Sequence, residues 1–403
     1  MRHRRVALNL ISAAVGATLG AAGVLALGGL ADDHAPRARS SRPIALADPI
    51  APTPVSSETM LLAWAPGGLP ANAEARLEGL PGVRRATTVI AGLDWMKSAR
   101  ATDGTITDRP GDGFAIPFET AIVEPSEYAH FVSPEDRPLI ESLRPGQLLL
   151  AQTEAAIRRG DDGMTIRFDG RRARVSGVVT DDAAGGYEGL MRGPVPTTWM
   201  RADRFVLVQV RDERARPRVE RALSSILTPG QVLRVRARGE TPFLRYGDAV
   251  LPQMLIKDAF GEFAARPLST GSIQIQPDWV DRNIDRARVP VLGEVLCHRA
   301  LFPQLRAAMR EVVAEGLAFA IDRDDFGGCY SPRFIDSNPG GRLSHHSWGV
   351  AFDVNVAENA FGTKPDLDRR LVHIMEDEGF TWGGRWLIPD GMHFEWVDWG
   401  PTT

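Results

Sequence analysis

Hydrophobic and polar positions repeat with two periods along much of the chain, which predicts a mixture of helices and strands. Over 301–315, apolar residues such as Leu305 and Met309 recur at helical spacing, and a glycine follows as a stop. Runs rich in β-branched residues and bounded by Gly, Pro or Asp predict strands. By these signals, further helices are predicted over 71–80, 217–227 and 366–378, and strands over 115–116, 120–123, 165–168, 174–179, 204–210, 232–235 and 273–275.

The N-terminal segment has a different pattern. Residues 1–5 contain three arginines, and residues 6–31 follow without a charged side chain. At roughly 1.5 Å rise per residue, a helix of this length exceeds the roughly 30 Å thickness of the hydrocarbon core of a bilayer. We therefore expect 1–31 to be a signal-anchor, a single transmembrane helix with the rest of the chain outside the cytoplasm. Secretion after signal cleavage at Gly29-Leu30-Ala31 is one alternative, and a buried Ala-rich helix is another.

The rest of the chain divides by composition and length. Residues 32–57 are polar and contain five prolines, so they cannot bury a core and are predicted to be a flexible tether. A length of 403 residues exceeds one average domain. We predict a mixed α/β domain over 58–240, a linker over 241–270 and a separate α+β domain over 271–403.

Charge and cysteine content narrow the class of protein. The net charge of −4 and the scattered basic residues provide no basic face, so a nucleic-acid partner is not expected. Two cysteines, Cys297 and Cys329, flank one helix-length segment. In the cytosol the two cysteines would be free thiols, whereas outside the cytoplasm they predict a disulfide. Because the N-terminal segment predicts a location outside the cytoplasm, it favours the disulfide.

Two short motifs near the C-terminus contain the candidate chemistry. They are LSHHSWGVAFDVN over 343–355 and GFTWGGRWLIPDGMHFEW over 379–396. A catalytic zinc site takes three protein ligands from His and carboxylate side chains and keeps a fourth position for water. His346, Asp353 and His393 would supply that set, if two strand arms bent at the intervening glycine bring the first two together and a neighbouring strand supplies the third.

Other residues in these motifs leave alternatives open. His345 could replace His346 as a ligand, although spacing favours His346, and Asp353 could instead brace a turn. Asp390, three residues before the last histidine, could take a proton from water bound to the metal. Glu395 is either a partner of a ligand histidine or a rival base, because on a strand it faces the same side as the residue two before it.

The motif pair S-x-H-x6-D and GF-x-WGG-x-W…D-x-x-HFE resembles a family of zinc metallopeptidases. This is the D-Ala-D-Ala carboxypeptidase and L-Ala-D-Glu endopeptidase family, the VanY-like group that includes phage endolysin peptidases. The similarity extends over roughly 273–396. It implies a Hedgehog/DD-peptidase-like domain with a small antiparallel sheet and flanking helices, a Zn2+ cofactor, and peptidoglycan stem peptides as substrates at the bacterial cell membrane.

The resemblance also implies roles at the matching positions. Asp390 corresponds to the catalytic acid/base, in the Asp-x-x-His form of endolysin-like members, whereas carboxypeptidase members usually have Glu-x-x-His. Ser344 corresponds to a serine that lines the site. Arg333 corresponds to an arginine that holds a substrate carboxylate or the oxyanion, although Ser331 and Pro332 separate it from the tyrosine that precedes it in the family. A structural salt bridge is the alternative for Arg333.

The middle region has no comparable cluster of His, Cys and carboxylates. Its order of elements over 58–240 resembles the periplasmic domains of permeases of the macrolide-exporter and lipoprotein-release type. We interpret its His130 as a surface or packing residue and expect the region to position the catalytic part or to contact a protein partner. Elsewhere, His373 is predicted to be exposed, and a second metal site at His298 is not favoured over the disulfide.

The sequence therefore predicts a zinc-dependent hydrolase of peptidoglycan peptides. The alternative is a catalytically inactive module that binds the cell wall or regulates a partner. Trp382, Trp386 and Trp396 are candidates for the substrate cleft, with core packing as the competing interpretation. The Asp-x-x-His form favours endopeptidase activity by analogy only, so the bond that is cut stays open.

Overall fold

The computed structural model describes residues 59–160, 162–199, 202–248, 251–338 and 340–397. The predicted signal-anchor (1–31) and tether (32–57) lie outside these residues. Among the described helices, none has the length and apolar character that crossing a membrane requires. The described part combines helices and β-sheets, which confirms the mixed fold class at that level.

Most strands are short and lie in the first two thirds of the chain. They are β1 (Thr59–Trp64), β2 (Val83–Arg100), β3 (Ile106–Asp108), β4 (Ile116–Ile122), β5 (Gln147–Ala151), β6 (Thr165–Phe168), β7 (Arg172–Val179), β8 (Gly189–Met191), β9 (Asp203–Val210), β10 (Arg234–Ala237), β11 (Ala265–Pro267), β12 (Ile273–Ile275), β13 (Ile284–Val289), β14 (Gly293–His298), β15 (Ala351–Asp353), β16 (Phe380–Trp382) and β17 (His393–Trp396). The α-helices are α1 (Ala73–Leu77), α2 (Pro125–Tyr128), α3 (Arg137–Ser142), α4 (Gln152–Arg158), α5 (Arg216–Ser224), α6 (Gln253–Phe260), α7 (Pro277–Asn283), α8 (Phe302–Ala314) and α9 (Arg369–Asp377).

A large sheet contains the first ten strands of the described part. Its order is β10-β1-β9-β2-β4-β8-β5-β7-β6, with β3 on β2, and β6 pairs with the end of β2 as well as with β7. The β4–β8 and β5–β7 pairs are parallel and the others are antiparallel. The 18 residues of β2 allow it to pair with four other strands.

The predicted helices are present with shifted ends. The strands predicted over 115–116 and 120–123 both fall on one strand, β4, and the other predicted strands are present, two of them with the predicted bounds (β6 and β12). The strands that these signals missed include β1 and β2. In the centre of β2, four successive residues, Ala91 to Asp94, are buried, so its hydrophobic pattern lacks the alternation that marks a half-exposed strand.

The segment over 241–270, for which the sequence predicted a linker, contains helix α6 and strand β11. Its Lys257 is buried, and the Nζ atom lies 2.6 Å from Glu188 Oε1 and donates to the Pro117 carbonyl at 2.6 Å. Ile256 and Phe260 join the core that contains the C-terminal helices. Polar residues of this segment such as Lys257 therefore take part in buried ion pairs, which composition alone does not reveal.

Beyond β12 the chain forms the region that resembles the metallopeptidases. An antiparallel hairpin, β13–β14, and a three-stranded antiparallel sheet with the order β15-β17-β16 lie against α8 and α9 through one apolar cluster. The predicted disulfide is present between Cys297 and Cys329, with a Cα–Cα distance of 5.0 Å. It joins the end of β14 to the loop that contains Cys329, and this loop contacts the candidate site.

Candidate metal centre

His346 lies on a one-turn 3-10 helix, His345–Ser347, rather than on the strand arm that the sequence predicted. The Ser344 hydroxyl accepts the His346 backbone N–H at 3.3 Å, which caps this turn. Gly349 then has a φ of +70°, and a Cβ there would lie 2.7 Å from the His298 backbone nitrogen. Only glycine suits both conditions, so the chain leaves the turn through Gly349 and enters β15.

Asp353 and His393 are opposite one another on adjacent strands. Asp353 ends β15, His393 begins β17, and the two are register partners in this antiparallel pair. Directly opposed side chains in such a pair lie on the same face of the sheet. As predicted, His393 comes from the strand next to the one that contains Asp353.

The three side chains meet in a compact triangle of potential ligand atoms. His346 Nε2 is 3.1 Å from Asp353 Oδ1 and 3.2 Å from His393 Nδ1, and His393 Nδ1 is 3.0 Å from Asp353 Oδ1. All three residues are buried. In a tetrahedral zinc site with bonds of about 2.0–2.1 Å, adjacent ligand atoms are roughly 3.3 Å apart. This triangle fits one zinc ion with little movement and leaves a fourth position open.

Hydrogen bonds to the outer ring nitrogen of each histidine direct the inner nitrogen toward the centre of the triangle. His346 Nδ1 lies 2.9 Å from the Cys329 carbonyl oxygen, so this nitrogen must donate and Nε2 keeps its lone pair. His393 Nε2 lies 3.5 Å from Glu395 Oε2, which leaves Nδ1 for the triangle. Such partners fix the tautomer and the ring orientation of metal-binding histidines. The sequence motif gave no signal for the Cys329 carbonyl.

Glu395 has a second partner that separates the two adjacent histidines. Its Oε2 lies 2.8 Å from His345 Nδ1, so His345 faces Glu395 and is outside the triangle. Burial opposes ionisation of Glu395, but His345, followed by His393, outweighs it and holds the pKa well below its usual range. Glu395 is thus an ionised partner of two histidines, which matches the first of its two predicted roles.

The pKa directions describe the metal-free triangle. Burial opposes ionisation of Asp353, but His346 and then His393 hold its pKa well below the usual range, and burial lowers the pKa of His346. For His393, burial is outweighed by hydrogen bonds to Asp353 and Glu395, which raise the pKa to about 10. Because a ligand histidine must be neutral, binding of a cation here would release the proton of His393.

Asp390 is held beside His393 by the backbone. Its carbonyl accepts the His393 N–H at 3.2 Å, and its own N–H donates to the Gly383 carbonyl at 3.0 Å. A Cβ on Gly383 would lie 2.7 Å from the Asp390 carbonyl oxygen, so the close approach requires glycine. Burial, assisted by Asp353, raises the pKa of Asp390 to about 6 against the effects of His393 and Arg333. Its Oδ1 is buried without a hydrogen-bond partner in the described part of the chain.

Arg333 and Ser344 occupy different positions at the centre. The Arg333 Nη2 atom is 3.8 Å from Asp353 Oδ2, and about a third of the side chain is exposed (31%). Its guanidinium can therefore reach both the triangle and a bound molecule. Ser344 is buried, and its hydroxyl caps the turn that contains His346. It therefore holds the backbone of a candidate ligand in place.

The three candidate tryptophans differ in environment. The ring centroid of Trp386 lies 5.2 Å from that of His393, which puts Trp386 at the wall of the centre. Trp382 is half-buried and donates from Nε1 to the Gly391 carbonyl at 2.8 Å. Trp396 is buried and packs with Phe260, as the core interpretation predicts.

The remaining histidines contribute no further site among the described residues. His298 is buried, and its Nδ1 accepts the Ala300 N–H at 3.2 Å. Burial lowers the pKa of His298 to about 4. His373 is exposed as predicted, and His130 is half-buried on a 3-10 turn. Only His346, Asp353 and His393 form a group suited to a metal in the described ranges.

The donor set and the neighbouring carboxylate are those that a mononuclear hydrolytic metal site would require. Residues 337–396 match the family model described as D-alanyl-D-alanine carboxypeptidase. That match confirms the metallopeptidase resemblance for this stretch, which contains the triangle and Asp390, whereas Arg333 precedes it. No curated protein matches the chain.

One similar solved structure is the periplasmic region of MacB from Actinobacillus actinomycetemcomitans. The sequences are 12% identical, and the similarity covers 43% of this chain and 87% of that chain. It is the type of protein that the middle region resembles in sequence. With a TM-score of 0.29, the similarity carries no argument about fold or function.

Proposed function

We propose that the chain is a zinc-dependent hydrolase of peptidoglycan stem peptides. It would act as a D-Ala-D-Ala carboxypeptidase or as an endopeptidase of the L-Ala-D-Glu type. The observation that carries the proposal is the buried His–Asp–His triangle, whose dimensions suit zinc and which lies within the stretch that matches the carboxypeptidase family. An inactive wall-binding module would not need an oriented ligand set beside a carboxylate of raised pKa.

The residues divide the chemistry as follows. His346, Asp353 and His393 would hold the ion, and zinc there would supply a Lewis acid able to lower the pKa of water from 15.7 to about 7. Asp390 accepts the proton of the attacking water at its unpartnered carboxylate oxygen and returns it to the leaving amine. Arg333, at the exposed rim, donates to the substrate carboxylate or to the oxyanion of the tetrahedral intermediate.

Two features bear on which of the two activities the chain has. A carboxypeptidase needs a cation for the terminal carboxylate, and Arg333 could provide it. An endopeptidase needs a cleft open on both sides of the scissile bond. The Asp-x-x-His form of the motif favours the endopeptidase, and we keep the carboxypeptidase as the second candidate.

We also propose a location that suits this substrate. Residues 1–31 would anchor the chain in the bacterial membrane, and residues 32–57 would tether the enzyme close to the wall and raise its local concentration there. Residues 58–240 would position the catalytic part or bind a protein partner. Cell fractionation and N-terminal sequencing of the mature protein test this, because release of a shortened chain into the medium would contradict the anchor.

Mass spectrometry of defined muropeptides tests the activity. The full-length protein is loaded with zinc and incubated with tetrapeptide and pentapeptide muropeptides, with and without chelator. Loss of a terminal D-Ala identifies the carboxypeptidase, and release of an internal fragment identifies the endopeptidase. An absence of zinc-dependent products from the whole set would contradict the proposal and favour a wall-binding role.

A further inference from the structure

A polar cavity adjoins the candidate metal centre, and the proposed mechanism does not use it. It has a volume of about 270 Å³ and lies between β10 and the loop that follows β16. Its lining includes Arg234, Arg236 and Asp248 from one side and Trp382 and Trp386 from the other. The region over 58–240 therefore contributes side chains to a cavity beside the candidate active site.

Arginines dominate the lining, but two of them already have close acidic partners. Arg216 Nη1 is 2.7 Å from Glu240 Oε1, and its Nε is 3.2 Å from Glu220 Oε1. Arg385 makes a two-point contact with Glu376, in which Nη2 is 2.9 Å from Oε2. These two guanidinium groups are neutralised within the protein.

Arg234 and Arg236 have only one carboxylate between them. Asp248 Oδ1 is 3.7 Å from Arg234 Nε and 4.0 Å from Arg236 Nη1, both too long for hydrogen bonds. The other oxygen of Asp248 accepts the Leu387 N–H at 2.7 Å. Within the described part of the chain, the Nε atoms of both arginines are buried without hydrogen-bond partners. Arg234 and Arg236 thus share a carboxylate that forms a hydrogen bond with neither of them, although it lies within 4.0 Å of both.

Arg236 is buried at the wall of the cavity and is fixed in position. Burial, with repulsion from Arg234, lowers its pKa despite the opposing effect of Asp248. Its Nη2 donates to two backbone carbonyls, of Arg245 and Gly247, so the side chain is fixed in place. A fixed, partly unneutralised guanidinium beside an open cavity is a site that favours an anion.

Trp386 connects this cavity to the metal centre. Its ring lines the cavity and also lies against His393, at 5.2 Å between ring centroids. The Trp386 Nε1 atom is buried without a hydrogen-bond partner among the described residues. Trp386 is therefore part of the wall of both the cavity and the metal centre.

We propose that Arg234 and Arg236 form a subsite for a carboxylate of an acidic peptide substrate. The planar guanidinium fork of arginine matches a carboxylate, and a cavity of about 270 Å³ has room for the acidic side group of one residue. This inference rests on the proposed function for the identity of the ligand. It makes the region over 58–240 a determinant of substrate choice rather than only a spacer.

A matched pair of peptides tests the subsite. The two stem pentapeptides are identical except that the free carboxylate of D-glutamate is a carboxamide in one of them. The measurement is the ratio of kcat/KM for the acid to kcat/KM for the amide, with zinc-loaded full-length protein. Because a hydrogen bond to a charged group contributes on the order of a tenfold effect or more, Arg234→Gln should lower this ratio roughly tenfold.

The control changes the same charge outside the cavity. Arg286→Gln alters an exposed arginine on β13 that is 3.4 Å from Glu294, and it should leave the ratio at the wild-type value. Asp248→Asn should raise the ratio severalfold, because the amide oxygen still accepts the Leu387 N–H while the competing negative charge is lost. An unchanged ratio in both Arg234→Gln and Asp248→Asn would overturn the subsite.

Binding without hydrolysis separates this inference from the proposed function. In the chelated protein, titration with an acetylated D-glutamyl peptide should change the fluorescence of Trp382 and Trp386, and Arg234→Gln should weaken binding roughly tenfold. If the wild-type protein cleaves both peptides, but Arg234→Gln changes neither the ratio of kcat/KM values nor the binding affinity, the subsite is wrong and the proposed function stands. If binding depends on Arg234 but neither peptide is cleaved with zinc present, the function is wrong and the anion site stands.

Discussion

Asp353 lies directly opposite His393 across the antiparallel pair of β15 and β17. The sheet itself therefore sets the separation of these two side chains, and their atoms Oδ1 and Nδ1 are 3.0 Å apart. A slip of one residue in this register would turn one of them to the other face. Two of the three candidate ligands are thus prearranged by backbone pairing, and the third is supplied by a capped turn.

Replacement of the turn ligand should remove the metal. His346→Ala leaves only two of the three candidate ligands, so we expect the zinc content of the purified protein to fall from one equivalent to near zero and hydrolysis to stop. Plasma mass spectrometry of dialysed protein measures the zinc. His373→Ala is the control, because that histidine is exposed on α9. Full zinc occupancy in His346→Ala would show that the triangle is not the metal site.

Replacement of the proposed base should separate metal binding from catalysis. Asp390→Asn keeps the shape of the side chain and all three candidate ligands, so we expect one equivalent of zinc. The loss of a general acid/base should lower kcat by about 10²- to 10⁴-fold. Asp377→Asn, an exposed aspartate at the end of α9, is the matched control. Wild-type kcat in Asp390→Asn would transfer the role of base to another group.

The candidate metal centre could be predicted from the sequence because short motifs specify chemistry and local strand pairing together. The spacing within the motifs predicted that His346, Asp353 and His393 meet, and their ligand atoms do. It could not predict the 3-10 turn of His346. That turn depends on a hydroxyl cap and on a close contact between Gly349 and a backbone distant in sequence.

The less predictable parts of the fold are those in which burial is not amphipathic. The centre of β2 is buried on both faces, and helix α6 buries a lysine whose partners come from other elements. Both features depend on contacts remote in sequence. Hydrophobic period and composition report only local preferences, so they assigned β2 no strand and 241–270 no element.

The pKa of Asp390 predicts how activity depends on pH. Burial raises this pKa to about 6 in the metal-free site, and a cation in the triangle would lower it by favouring the charged form. A general base must be ionised, so kcat/KM should fall as the pH drops through a midpoint no higher than about 6. The acid limb of the pH profile measures this midpoint. A midpoint well above 7 would indicate that a different group is titrating.

The disulfide should contribute to both stability and the metal site. It closes a loop with a sequence separation of 32 residues, for which the chain-entropy account gives about 3–4 kcal/mol of stabilisation. One of its cysteines, Cys329, also provides the carbonyl that accepts the proton of His346 Nδ1 at 2.9 Å. Loss of the crosslink should therefore lower the stability and weaken zinc binding, because the orientation of His346 is less well held.

Urea unfolding with and without reductant, in the presence of chelator, measures the first effect, and a competing zinc indicator measures the second. The double variant Cys297→Ser and Cys329→Ser is the reference, since reductant should not change its stability. A reduced wild-type protein that unfolds at the oxidised midpoint would show that the crosslink constrains little of the unfolded chain. Unchanged zinc affinity on reduction would show instead that hydrogen bonds of the turn, including the Ser344 cap, suffice to orient His346. The two readouts thus separate a crosslink that only stabilises the fold from one that also orients a ligand.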